Sequence, residues 1–159
     1  MPPALKDRPD VAVFNEIGII EHLMRHAVTD HLPPGVTYAH FEMLLNFTRS
    51  GDGQTPAELA QAMMMTKGAI TNILQKMEAL GLVCVLADVK DRRKKRVRLT
   101  RAGAQAYEQI LRDMKWQMDA LREGFTDNEF RQALPFLRSL RTFLEEISEQ
   151  PEPEASSLR

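Results

Sequence analysis

One cysteine, Cys84, in 159 residues excludes an intrachain disulfide framework and suits a reducing compartment. No apolar run approaches the roughly 18–20 residues of a membrane-spanning helix, because charge interrupts every apolar stretch. The opening MPPALKDRPD lacks the apolar h-region of a secretory signal. These absences point to a cytoplasmic protein with no membrane partner. Local signatures of catalysis are missing too. No Gly-rich phosphate loop follows a predicted strand, and there is no Gly-x-Ser-x-Gly elbow, His-Glu-x-x-His pair or cysteine cluster. Ser, His and Asp occur, but nothing sets them out as a triad. The expectation is a protein that is not an enzyme and needs no cofactor. There is no internal repeat.

What the chain does have is segregated charge. Its formal net charge is -1, yet Asp88 to Gly103 holds Lys90, Arg92, Arg93, Lys94, Lys95, Arg96, Arg98 and Arg101 against Asp88 and Asp91 alone. That stretch carries six net positive charges and the remainder seven net negative ones. Segregation of this kind builds a local electropositive site without making the protein basic, and a nucleic-acid footprint needs only such a patch.

The apolar pattern divides the chain into helices and one β-rich interruption. Residues 1–10 are Pro-rich, charged and expected to be loose. Phe14, Ile17, Ile20, Met24 and Val28 share a helical stripe, giving a first helix over Val13–Ala27, which Pro33, Pro34 and Gly35 end. A second helix is predicted from about Tyr38 to Thr48. Thr55, Pro56 and Glu58 form a capping box with proline at the first helical position, so a short helix follows. After a turn through Met64 and Met65, Thr66 caps a helix whose buried face is Ile70, Ile73, Leu74, Met77 and Leu80, stopped by Gly81. VCVLA and the VRL segment then read as paired strands around the charged stretch. Thr100 or Arg101 opens one long helix through Tyr107, Ile110, Leu111, Met114, Met118 and Leu121. Thr126 and Glu129 cap a last helix to about Glu149, which Pro135 should bend or delay. The Pro- and Glu-rich end, 150–159, is expected to be flexible.

Short helix, turn, helix and a ribbon with a basic tip is the plan of a winged helix-turn-helix. The helix after Thr66 leaves Lys67, Gly68, Thr71, Asn72 and Gln75 facing outward. Asn and Gln amides match adenine edges, Thr can touch a thymine methyl, Lys meets phosphate or guanine, and Gly68 allows close backbone approach. Lys90, Arg92, Arg93, Lys94 and Lys95 at the ribbon tip suit phosphates or a narrow minor groove. Taken alone, a polar helix face is an ordinary solvated face, and so is a charge run. Their adjacency favours double-stranded DNA. The other reading is a winged helix given over to protein–protein interaction, such as an antagonist of a related regulator.

TPAELAQAM, TKGAITNILQKMEALGLV and DVKDRRKKRVRLTRAG together resemble the MarR family of winged helix-turn-helix transcriptional regulators. The last is the most specific, with an Asp opening the wing, Asp-Arg-Arg at its turn and a Leu-Thr-x-x-Gly entry into the next helix. The resemblance implies a mainly α fold with a small antiparallel β wing, about six helices, and a homodimer on a pseudo-palindromic operator. It divides a single domain, 11–149, into a lobe at 37–100 and dimerisation helices at 11–32 and 101–149. Phe14, Ile17, Ile20, Leu134, Leu137, Leu140, Leu144 and Ile147 are the expected dimer contacts. The similarity gives Asp88 and Arg92 or Arg93 positions that order the wing and place an Arg in the minor groove; Asp91 belongs to the same turn. It also implies a repressor relieved by a small aromatic or anionic effector, with His26, Tyr38 and His40 near the pocket. Two positions depart from the pattern: Asn72 stands where many relatives have Arg, and Val89 where many have Pro.

Three other features have plainer readings. His22 and His26, at i and i+4, have a metal-binding spacing but no further ligands marked in sequence, so no metal is expected. Cys84 reads as a packed thiol, and Met63, Met64 and Met65 as filling around a turn.

Overall fold

A computed structural model describes residues 8–149. The loose ends expected at 1–10 and 150–159 lie outside the described residues, apart from residues 8–10. The elements are α1 (Pro9–Thr29), α2 (Tyr38–Ser50), α3 (Pro56–Ala62), α4 (Lys67–Ala79), β1 (Val83–Ala87), β2 (Lys95–Leu99), α5 (Arg101–Asp113), α6 (Lys115–Gly124) and α7 (Asp127–Ser148). The chain is mainly helical with one two-stranded antiparallel sheet, in register from Val83 opposite Leu99 to Ala87 opposite Lys95.

The first helix starts four residues before the expected Val13. Pro9 occupies its first turn, where a missing N–H costs nothing, and Asp10 sits at the positive end of the helix dipole. The long helix expected from Arg101 is two helices. Met114 breaks it, its N–H directed to the carbonyls of Ile110 and Arg112. No Gly or Pro marks that break in sequence. Pro135 does not delay α7, which is helical from Asp127. It does remove the N–H that the Arg131 carbonyl would otherwise accept.

Residues up to Lys115 form one compact unit and those from Trp116 a second. In the first, Met43, Leu44 and Phe47 of α2, Leu59 of α3, and Ile70, Leu74 and Met77 of α4 close around Leu82, Val83 and Val97 of the sheet region. Each fully buried side chain of this size contributes about 1.5–3 kcal/mol. Because α4 spends one face on this core, its opposite face is left to solvent. A second cluster of Val28, Phe41 and Ile110 fastens α1 and α5 to α2. Thr100 joins α5 to the sheet: its hydroxyl accepts from Gly103 N–H at 3.0 Å and donates to Gly81 O at 2.6 Å. A Cβ on Gly103 would lie 2.1 Å from Leu82 O, so α5 docks there only with glycine. In the second unit, α6 and α7 bury no residue. Among the described residues, no helix is long and apolar enough to cross a membrane.

Candidate nucleic-acid interface

Thr55 and Glu58 satisfy the start of α3 reciprocally, with Glu58 Oε2 accepting from Thr55 N–H at 2.7 Å and Thr55 Oγ1 accepting from Glu58 N–H at 3.2 Å. The turn to α4 passes through Met64, which takes a left-handed conformation at φ 52°. Met65 N–H returns to Ala60 O at 2.9 Å, closing the end of α3. Thr66 then caps α4 through Ala69 N–H at 3.2 Å. Ile70, Leu74 and Met77 point inward, while Lys67, Gly68, Thr71, Asn72 and Gln75 are exposed. The Thr71 hydroxyl donates to Lys67 O at 2.8 Å, which commits its proton and leaves the oxygen as an acceptor. A Cβ on Gly68 would meet nothing within 4 Å, so no internal contact demands glycine there. An outside surface approaching the backbone would.

The wing turn is organised by carboxylates. Asp88 Oδ1 accepts from Lys90 N–H at 2.7 Å and from Asp91 N–H at 3.0 Å, while Asp91 Oδ1 accepts from Arg93 N–H at 3.1 Å. Asp88 N–H donates to Lys94 O at 2.8 Å across the turn. Arg96 Nε donates to Asp88 Oδ2 at 2.6 Å, and this bond, followed by those from the Asp91 and Lys90 amides, lowers the Asp88 carboxyl pKa to about 2. Asp88 therefore stays ionised over any ordinary working range.

Apart from Arg101, which opens α5, the cations of the basic stretch fall into two groups. Lys90, Arg92, Arg93, Lys94 and Lys95 are exposed around the turn, with no carboxylate in ion-pair contact among the described residues. Arg96, half-buried, and Arg98, still exposed, are instead paired with carboxylates. Arg98 Nη1 donates to Asp52 Oδ1 at 3.2 Å, and the second Asp52 oxygen accepts from Leu99 N–H at 3.0 Å. The α2–α3 loop also lies beside β2: Gly53 N–H donates to Val97 O at 2.7 Å and Val97 N–H to Gln54 O at 2.9 Å. Residue composition hid this division. Strand alternation carried a signal of it, since Arg96 and Arg98 share the face opposite buried Val97.

The remaining predicted site residues are spread out. His40 is buried as the cap partner of α2, its Nδ1 accepting from Thr37 N–H at 3.1 Å. Tyr38 is half-buried under the Arg25 guanidinium, 4.3 Å from its ring centre. His26 is exposed, 3.3 Å from Asp30. Among the described residues, no group of three His, Cys, Asp or Glu side chains could hold a metal ion. Cys84 is half-buried opposite Arg98. Phe14 and Ile20 on α1 are exposed, with Ile17 half-buried; on α7, Leu134, Leu137, Leu144 and Ile147 are exposed, with Leu140 half-buried. Phe136 and Phe143 are more than half exposed and were not singled out in sequence.

Known proteins share this architecture. The MarR family model matches residues 35–94. The HTH-type transcriptional repressor YetL of Bacillus subtilis (strain 168) is 27% identical over 120 residues, 75% of this chain and 70% of YetL. Among solved structures, a crystal structure of MarR is 25% identical, with a TM-score of 0.69 over 89% of this chain and 95% of that one. A mutant MarR from E. coli complexed with operator DNA is 24% identical, with a TM-score of 0.68 over 81% and 93% of the two chains. A MarR transcriptional regulator from Methanosarcina mazei Go1 reaches a TM-score of 0.71 at 22% identity, over 85% and 97%.

Proposed function

We propose that this chain, whose residues 35–94 match the MarR family model, is a MarR-family transcriptional regulator that binds double-stranded DNA in a sequence-specific way as a homodimer. The observation that carries this reading is the exposed face of α4. The Asn72 and Gln75 amides stand there beside Gly68, whose missing side chain serves no internal contact. Such amides pair bidentately with adenine in a major groove, and the five outward cations of the wing supply phosphate or minor-groove contacts. Lys67 and Thr66 lie at the start of the same helix, where the backbone N–H groups favour a phosphate. In this reading residues 37–100 form the DNA-binding lobe, while α1 and 101–149 pair two copies.

Selection from a random duplex library, followed by titration at about 0.15 M salt, tests it. An enriched duplex should bind at least about a thousandfold more tightly than unselected duplex. Replacing Arg92, Arg93, Lys94 and Lys95 by Ala should weaken binding to both duplexes and reduce the salt slope. No enrichment over the electrostatic background would favour the protein–protein alternative.

We extend the proposal to repression, on the likeness to a repressor, and to relief by a small aromatic or anionic effector. The supporting feature is Arg25 over the Tyr38 ring, with the exposed His26 next to Arg25 in sequence. Arg25 is also held by Glu21 at 2.6 Å, so an effector would stack on the guanidinium and ring already assembled there. His40 would act there only as the residue that fixes the start of α2. Genes beside enriched genomic fragments would nominate effectors. An effector that shifts duplex affinity by less than about twofold, roughly 0.4 kcal/mol, would remove this extension.

A further inference from the structure

Arg96 is the one cation of the basic stretch that touches three separate segments. Its Nε holds Asp88 Oδ2 at 2.6 Å, in the turn of the wing. Its Nη1 donates to Gly53 O at 3.1 Å, in the loop between α2 and α3, and stands 3.5 Å from Glu58 Oε2, in the cap of α3. Glu58 and Asp88 each have a second task, since one holds the Thr55 N–H and the other the Lys90 and Asp91 N–H groups. A single guanidinium thus ties the wing turn to the short helix that precedes α4. We propose that Arg96 is a positioning residue, which sets where the wing stands relative to the helix pair and does not itself contact DNA.

The geometry distinguishes this role from a phosphate contact. The Arg96 side chain is only 34% exposed and its Asp88 partner 14%, unlike the open cations of the turn. Lower on the wing, the backbone already attaches β2 to the loop through Gly53, Gln54 and Val97. The turn above Ala87 and Lys95 has no such backbone tie to the lobe among the described residues, and the Arg96 side chain ties it there instead. The planar fork matters, because it directs Nε and Nη1 to different acceptors at once. A lysine ammonium keeps the charge without that fixed spread.

The consequence for DNA rests on the DNA-binding reading above; the clamp itself does not, and the test separates them. Amide hydrogen exchange on the unliganded full-length chain is the first arm. In Arg96→Ala, Arg96→Lys and Asp88→Asn, exchange at Lys90 and Asp91 should rise by about tenfold, the loss expected from one charge-assisted bond. Ile70 and Leu74 of α4 should be unchanged. Unaltered exchange at the turn overturns the proposal, as does equal loosening of α4 in all three variants, which would make Arg96 a general fold residue. Asp88→Asn keeps an oxygen that can accept from Lys90 and Asp91, without the carboxylate's charge, so a rise in exchange there counts for the clamp only where the two Arg96 variants show it too.

The second arm is titration of a selection-enriched duplex. Simple charge predicts that Asp88→Asn strengthens binding, since a negative charge leaves the neighbourhood of phosphates. Positioning predicts that it weakens binding by about tenfold, and that Arg96→Lys is as weak as Arg96→Ala. Tighter binding by Asp88→Asn, or recovery by Arg96→Lys to within about twofold of the parent, overturns the proposal. Should the parent chain prefer no duplex, the DNA-binding reading fails, and the exchange arm alone decides whether the clamp exists.

Discussion

Gly68 and Gly103 show how one residue type answers two different demands. Gly103 is required from within, because Leu82 O and Leu99 Cδ1 stand 2.1 and 2.7 Å from where its Cβ would be. Gly68 has open space around it and lies inside a helix, where glycine is intrinsically poor. Gly68→Ala should therefore leave folding stability unchanged or raise it by up to about 1 kcal/mol. The same change should lower affinity for an enriched duplex by about tenfold, if the backbone there closes on DNA. Urea unfolding and duplex titration measure the two effects, and unaltered affinity would remove the close-approach argument. Outward positions such as Asn72 and Gln75 could be read from sequence because helical period alone assigns them. Arg96 could not, because its Gly53 acceptor lies 43 residues away and only the folded loop brings it near.

Caps decide where several of these helices begin, and two of the boxes follow the Thr-x-x-Glu pattern that sequence reveals, at Thr55 and Thr126. The third, at Thr37, uses His40 in the glutamate's place and passes unnoticed in a search for Glu or Gln. It also brings a titratable group. Burial, with repulsion from Lys76 second, lowers the His40 pKa below its ordinary 6.5. Neutral Nδ1 accepts from Thr37 N–H, whereas a protonated ring has no acceptor to offer. With the folded-state pKa depressed, the cap's contribution is fully present above about pH 6.5 and is lost as the pH falls from there through the lowered value. Thermal unfolding should show a fall in Tm over that interval. His40→Gln, which can still accept the hydrogen bond without titrating, should flatten it. A slope of the same size in the variant would assign the effect to other groups. The break at Met114 stayed illegible for a different reason: neither Gly nor Pro marks it, and apolar periodicity runs straight through.

For the whole molecule the decisive feature is apolar surface that one chain leaves uncovered. On α1, Ile20, Leu23 and Met24 are all more than half exposed. On α7 the apolar arc runs from Phe143 and Phe136 at one edge through Leu144 and Leu137 to Leu134 at the other. At 100° per residue it covers roughly half the circumference, wider than the stripe of about 100° that faces a single neighbour. The stripe of leucines was visible in sequence. Its full width was not, because Phe136 and Phe143 fall outside a narrow heptad-like count. An apolar arc of that width on one helix is seldom left bare, and a two-fold pair of copies is the commonest way to cover it. Sedimentation equilibrium at micromolar concentration should accordingly find a dimer, and Leu137→Glu with Leu144→Glu should find a monomer. A dimer presents two α4 helices, so an enriched duplex should contain related half-sites with centres roughly 34–36 Å apart or a multiple of that. Inserting about 5 base pairs between them turns one half-site to the opposite side of the duplex and should abolish most of the selectivity. The monomeric variant should be indifferent to that insertion, since it engages one half-site at a time. A parent chain that sediments as a monomer, or that binds both spacings equally, would overturn the two-fold reading while leaving the exposed face of α4 as it stands.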